Sequence, residues 1–229
     1  MNEFFKKIKG GLIVSCQAEG DSPFNNPEDV AKFALCAQMG GATAIRTEGV
    51  EKAKAIKAKV SLPLIGLVKS VFEDGYVRIT GTEEDVKALT DAGCDTVAID
   101  GTFRLREGMT GPEFIRAMKK KHTLLIMADI ATFEEGLACA EAGADCLSTT
   151  LSGYTPETEN KDNSGPNLEL IQKLNDHFSG RIPVIAEGRF NTPELAAKAI
   201  SMGAWAVVTG TAITRPQIVT KWFYDAITK

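Results

Sequence analysis

Apolar residues gather in eight short runs, at 12–17, 42–46, 62–69, 96–100, 124–129, 146–150, 183–189 and 205–211, and each run ends on polar or glycine-containing residues. Runs this short and rich in Val, Ile, Leu and Ala read as strands buried on both faces. Between them the apolar positions change to helical spacing, as at Val30, Phe33, Ala34 and Ala37. The last run leads into a C-terminal helical pattern. A strand followed by a helix, eight times over, predicts an α/β fold of one kind: a single (β/α)8 TIM barrel, with residues 1–229 as one domain.

The helix boundaries carry their own chemistry. Asn26, Thr82, Thr132 and Thr192 stand where N-caps belong, with Pro27 and Pro193 in the first turn and Glu135 completing a capping box with Thr132. Gly40, Gly93, Gly143 and Gly203 each close a helix before the second, fourth, sixth and eighth runs, and are expected in the left-handed conformation that ends a helix. The third and seventh runs share a different lead-in, Leu62-Pro63-Leu64-Ile65 and Ile182-Pro183-Val184-Ile185, so the chain alternates in two-unit modules. Two connections are long: 70–80 after the third run, and 151–167 after the sixth, which holds Gly153, Tyr154, Asn160 and Asn163. Long loops in a compact domain are usually functional or mobile. Both leave the barrel end that carries catalysis.

Composition narrows the function. A chain of 229 residues accommodates one barrel and no second domain. A net charge of −4 speaks against nucleic acid or an anionic membrane as partner, since both need a basic face. The basic run Lys119-Lys120-Lys121 falls at a predicted helix C-terminus, where cations complement the helix dipole. No stretch has the ~18 apolar residues of a membrane span, and the N-terminus lacks a secretory pattern, so a cytoplasmic location is expected. Five cysteines without CxxC spacing fit a reducing compartment better than a disulfide framework or a zinc site. Two histidines leave little room for serine–histidine chemistry or a multi-histidine metal centre.

The strand tips collect the candidate chemistry: Gln17, Arg46, Lys69, Asp100, Asp129, Thr150, Glu187, Gly188, Arg189, Gly210 and Thr211. A lysine ending an apolar run is expected to project, partly desolvated, into the barrel mouth, where burial makes lysine a usable base or Schiff-base nucleophile. Glu187 is positioned to pair with a lysine or arginine across the mouth, or to move protons. Asp100 and Asp129 are either substrate ligands or groups that orient other side chains. Arg46 suits an anionic or carbonyl oxygen because it is always charged and forked. Gly188-Arg189 and Gly210-Thr211, at the ends of the seventh and eighth strands, stand where barrels bind phosphate, and glycine lets the backbone come close to the anion. Arg215 adds charge nearby.

These residues lie in strings that resemble a known family. Ser15-Cys16-Gln17, Ala44-Ile45-Arg46, Ile65-Gly66-Leu67-Val68-Lys69, Met127-Ala128-Asp129, Ser148-Thr149-Thr150-Leu151-Ser152-Gly153-Tyr154-Thr155, Ile185-Ala186-Glu187-Gly188-Arg189 and Ala212-Ile213-Thr214-Arg215-Pro216 are similar to those of N-acetylmannosamine-6-phosphate 2-epimerases, from about residue 10 to the end. The resemblance implies a cytosolic barrel of bacterial sialic-acid and amino-sugar breakdown. Such an enzyme interconverts N-acetylmannosamine 6-phosphate and N-acetylglucosamine 6-phosphate without metal or organic cofactor. It implies Lys69 as the proton-transferring residue and Glu187 as its acidic partner. It implies Gln17, Arg46 and Asp129 as substrate-positioning residues; Asp100, Thr150 and Tyr154, at the strand tips and in the loop after the sixth run, are expected as further substrate contacts. Gly188, Arg189, Gly210, Thr211 and Arg215 form the phosphate end. It also implies a homo-oligomer, a dimer by preference, and Trp222, Phe223 and Ile227 give the last helix an apolar face for a partner or for the barrel wall. The chain departs from the family pattern at Thr211, where a second glycine is expected, at Ser70, where a basic residue is expected, and at Gly101, where alanine is usual. Two alternatives remain at this point: a lyase using Lys69 as a Schiff base on a phosphorylated sugar, and a non-catalytic sugar-phosphate sensor.

Overall fold

A computed structural model describes residues 2–159 and 164–228. Its strands, in chain order, are β1 (Gly11–Ser15), β2 (Ala44–Glu48), β3 (Leu64–Leu67), β4 (Lys69–Val71), β5 (Val77–Ile79), β6 (Thr96–Asp100), β7 (Leu125–Asp129), β8 (Cys146–Ser148), β9 (Val184–Ala186) and β10 (Ala206–Thr209). Eight of them close a parallel barrel in the order β1-β10-β9-β8-β7-β6-β3-β2. Each of the eight apolar runs contains or overlaps one barrel strand. The closed ring of parallel strands is the (β/α)8 barrel read from the alternation of strand and helix patterns. Register keeps the strand ends level around the mouth, with Ser15 opposite Arg46 and Asp100 opposite Asp129.

The helices are α1 (Glu3–Ile8), α2 (Pro27–Met39), α3 (Val50–Lys59), α4 (Glu83–Asp91), α5 (Gly111–Lys121), α6 (Phe133–Glu141), α7 (Leu168–Phe178), α8 (Pro193–Ser201), α9 (Thr211–Thr214) and α10 (Pro216–Ile227). The caps expected at Asn26, Thr82, Thr132 and Thr192 all accept a backbone N–H from three residues ahead. Gly93, Gly143 and Gly203 are left-handed, with φ of 85°, 98° and 92°. Gly40 is not. It caps α2 at φ −80°, and Gly41, at φ 90°, makes the left-handed turn instead. In all four units the left-handed glycine stands three residues before the next barrel strand, and in this unit that position is Gly41.

Two elements lie outside the eightfold pattern. Helix α1 buries Phe4, Phe5 and Ile8 against the barrel interior, in one cluster with Ile13, Ile65, Met127, Ile185 and Trp205. Trp205 Nε1 donates to the Phe5 carbonyl at 2.8 Å. The helix covers the bottom of the barrel with apolar side chains. The segment 70–80 is not an open loop: Ser70 pairs with Arg78 and Val71 with Val77 in the antiparallel β4–β5 hairpin. Asp74-Gly75 makes its turn, with Gly75 at φ 80° and Asp74 accepting from the Tyr76 N–H at 3.0 Å. Thr80, fully buried, closes the hairpin in a left-handed conformation, at φ 50°. This conformation is strained for a β-branched residue, and here it is held by a Thr80 N–H bond to the Val68 carbonyl at 2.7 Å.

After β8 the chain passes through a single 3-10 turn, Thr149–Leu151. The described part of the following connection is tied down: Thr155 and Thr158 are buried and hydrogen-bonded, and Asn167 both caps α7 and donates to Ser152 Oγ at 2.8 Å. Asn160 and Asn163 lie outside the described residues.

Candidate active site

Above the apolar interior, the ends of β2, β7, β8 and β9 form a buried polar network. Arg46 is 1% exposed and Asp129 is fully buried. Arg46 Nη1 and Nη2 donate to the two oxygens of Asp129 at 3.2 and 2.6 Å, a forked pair. Arg46 Nη1 also lies 3.1 Å from the sulfur of Met127. Arg46 Nε comes within 3.3 Å of Glu187 Oε1 but lacks hydrogen-bond geometry there. Burial opposes the charge of Arg46, yet Asp129 and Glu187 outweigh it and keep the guanidinium firmly protonated. Burial pushes the carboxyl groups of Asp129 and Glu187 up, against the opposing pull of Arg46.

The hydroxyl groups between the two acids sharpen this. Thr150 Oγ1 lies 2.8 Å from Asp129 Oδ1, Ser148 Oγ lies 2.8 Å from Thr150 Oγ1, and Glu187 Oε2 lies 3.1 Å from Ser148 Oγ. Two hydroxyl protons cannot serve three oxygen–oxygen contacts. All three are satisfied when either acid keeps a proton, the donations running along Ser148 and Thr150 from Glu187 to Asp129 or the reverse. The cluster then carries one proton on its pair of acids, and the remaining carboxylate balances Arg46.

A cavity of about 600 Å³ opens above this network. Lys69 reaches it from the first residue of β4, and Glu187 from the end of β9. β3, which leads into Lys69, and β9 are four strands apart in either direction around the ring, so the two residues face each other across the mouth. Gly188, at φ 102°, Arg189, Gly210 and Thr211 line one side of the cavity. Thr211 begins the four-residue α9, and the first N–H groups of a helix have no partner within it. Cys16, beside Gln17, is buried, and that burial, with a small push from Cys36, takes its thiol up to about 12, which favours the neutral thiol. Among the described residues no group of His, Cys, Asp and Glu is arranged to hold a metal ion. A second cavity, about 770 Å³, lies at the opposite end of the barrel, between α1 and His122, away from the strand tips.

The family model described as "Putative N-acetylmannosamine-6-phosphate epimerase" matches residues 30–229. Relatives from Escherichia coli O157:H7 and from Shigella boydii serotype 18, named in the same words as 2-epimerases, are 50% identical over 221 residues, 96% of this chain and 93% of theirs. The chain belongs to the N-acetylmannosamine-6-phosphate 2-epimerase family. The solved N-acetylmannosamine-6-phosphate 2-epimerase from Clostridium perfringens superposes with a TM-score of 0.90 at 41% identity, over 98% of this chain and 96% of that one. A thiamine phosphate pyrophosphorylase from Pyrococcus furiosus, 19% identical with a TM-score of 0.62 over 93% of this chain and 90% of that one, shares the fold alone.

Of the residues that the epimerase resemblance singled out, Gln17, Arg46, Lys69, Thr150, Tyr154, Glu187, Gly188, Arg189, Gly210, Thr211 and Arg215 meet at this cavity. Two do not line it. Asp100 is buried beneath the β6–α5 connection and bound by Thr102, Arg104 and Arg106, with Arg106 Nη2 at 3.0 Å and Arg104 Nη2 at 2.9 Å. Its carboxylate organises that connection rather than facing a ligand. Asp129 lies under Arg46 and accepts from its guanidinium. The expected pairing of Lys69 with Glu187 is also replaced. Glu187 sits against Arg46 and Ser148, while Lys69 Nζ bonds Glu19 Oε1. Lys69 belongs to the hairpin rather than to a barrel strand and keeps 32% side-chain exposure, more than its apolar run implied. Arg189 uses its guanidinium on the chain itself, donating to the carbonyls of Gly165 and Ser152 at 2.8 and 2.7 Å and stacking over Tyr154 at 4.8 Å. Glu19, Ser148 and Arg104 were not among the expected residues. Ser148 stands in the quoted Ser148-Thr149-Thr150 string, but no signal in the sequence marked Glu19.

Proposed function

We propose that this chain epimerises C2 of N-acetylmannosamine 6-phosphate to give N-acetylglucosamine 6-phosphate, by removing and returning the C2 proton. The observation that carries the reading is the convergence in one cavity of Lys69, Glu187, the Arg46–Asp129 pair and the glycine tips Gly188 and Gly210, in a chain of this family. In the open-chain sugar, C2 lies beside the C1 aldehyde, so loss of its proton sends the electron pair to the carbonyl oxygen as an enolate. Lys69 is the group that takes the proton. Glu187, whose carboxyl is pushed up by burial, faces Lys69 across the mouth and is suited to supply a proton to the other face. Arg46, held rigid by Asp129, and Gln17 bear on the developing oxyanion. The phosphate occupies the side lined by Gly188, Arg189, Gly210, Thr211 and Arg215, and anchors the sugar for the reaction at C2.

The surroundings of the reaction belong to the same proposal: a single cytoplasmic domain working as a homo-oligomer, a dimer by preference. Supporting the oligomer, α10 has no buried residue and exposes Trp222, Phe223, Tyr224 and Ile227. No helix of the described residues is long and apolar enough to cross a membrane.

The test is conversion of N-acetylmannosamine 6-phosphate by purified protein, with Lys69→Ala alongside. Wild type converts, and a folded Lys69→Ala loses at least about a hundredfold in turnover, the low end of general acid–base contributions. A folded Lys69→Ala with wild-type turnover removes lysine from the mechanism. Borohydride trapping at Lys69 would mark a Schiff-base lyase instead.

A further inference from the structure

Five basic side chains line the cavity: Arg46, Lys69, Arg104, Arg189 and Arg215. Three are already committed. Arg46 is taken by Asp129 and Glu187, Arg104 by Asp100 and Thr102, and Arg189 by two backbone carbonyls. The other two, Lys69 and Arg215, share one partner among the described residues. Glu19, on the connection between β1 and α2, bonds Lys69 through Oε1 and Arg215 Nη2 through Oε2, the latter at 3.2 Å. Lys69, Glu19 and Arg215 are 32%, 37% and 30% exposed, so solvent reaches all three and the pairs are weak enough to exchange.

We infer that Glu19 is an internal counter-anion: in the free protein its carboxylate occupies the cationic side of the mouth, and an entering phosphorylated ligand displaces it from Arg215. The inference rests on the proposed phosphate side of the cavity. The chemistry of the three groups supports it. Burial alone would raise the Glu19 carboxyl, but Lys69, with help from Arg215 and Lys52, holds it below the usual glutamate range, so it is an anion at neutral pH. A carboxylate that bridges a lysine and an arginine satisfies the same donors that a phosphate group would use. Two anions cannot occupy those donors together, because like charges at that separation repel. Glu19 therefore keeps Lys69 and Arg215 paired while the site is empty and sets the affinity that a phosphate must exceed to enter.

Isothermal titration calorimetry of the full chain with inorganic phosphate tests this without requiring turnover. Glu19→Gln keeps the shape and removes the charge. It is expected to tighten phosphate binding by about three- to fivefold, the range open to a solvated ion pair, with KM for N-acetylmannosamine 6-phosphate falling alongside. Asp21→Asn, a charge removed from an exposed position on the same connection, is expected to change the affinity by much less. The gain is expected to vanish when Arg215→Met is added to Glu19→Gln. Glu19→Ser gives a second reading should the glutamine variant fold poorly. Equal or weaker phosphate binding in the Glu19 variants, or none in any variant, overturns the inference. Tightened binding in a protein that does not epimerise would leave the counter-anion standing and remove the assigned reaction. Unchanged binding in a protein that epimerises would do the reverse.

Discussion

Arg46, Asp129 and Glu187 put three ionisable groups where water scarcely reaches, and their arrangement follows from the cost of burying charge. An unpaired buried ion is too costly to keep. The forked Arg46–Asp129 pair neutralises one acid, and the second, Glu187, is driven towards its neutral form. The strand tips named most of these residues in advance, because an apolar run that stops on a charged residue is visible in one dimension. Which charge meets which was not visible, since Lys69 and Glu19 are fifty positions apart and Arg46 and Asp129 further still. The raised pKa of Glu187 has a consequence for stability. Its pKa is higher in the folded than in the unfolded chain, so its contribution is fully present below the ordinary glutamate value of about 4.3 and is lost as pH rises through the folded value. Chemical denaturation across that window should therefore show wild type losing stability relative to Glu187→Gln as pH rises. Parallel curves would mean that Glu187 titrates as an ordinary carboxylate.

At the scale of elements, the barrel strands were readable because burial on both faces leaves continuous apolar runs, and the caps because Asn or Thr followed by acidic residues serves the same backbone donors everywhere. The β4–β5 hairpin carries a signal too, Asp74-Gly75 between Val71 and Val77, but its strands are only three residues long and β4 faces solvent, so no apolar run marks them. Helix α1 was harder to read: Phe4, Phe5 and Ile8 make sense only once the open bottom of a barrel exists to receive them. Closeness between layers is a further property of elements. A Cβ built on Gly66, in β3, would lie 2.4 Å from the sulfur of Cys94 and 2.9 Å from Leu89 Cδ2. Gly66→Ala should overpack the seam between β3 and α4 and cost about 1–3 kcal/mol in denaturant unfolding. An unshifted midpoint would show that the seam relaxes freely.

For the whole molecule, the barrel brings chain segments from residue 15 to residue 215 around one mouth, and its last helix turns an apolar face outward. Phe223 and Ile227, 72% and 81% exposed, should be covered in an oligomer. Wild type is expected to sediment as a dimer in analytical ultracentrifugation, and Phe223→Asp with Ile227→Asp as a monomer. A monomeric wild type would contradict the oligomer. The central claim is chemical, and proton NMR in D₂O tests it most directly: purified protein with N-acetylmannosamine 6-phosphate and nothing else added. The account predicts N-acetylglucosamine 6-phosphate signals growing in with deuterium at C2. Conversion that keeps the original C2 proton, or no conversion of a substrate that binds, would contradict it.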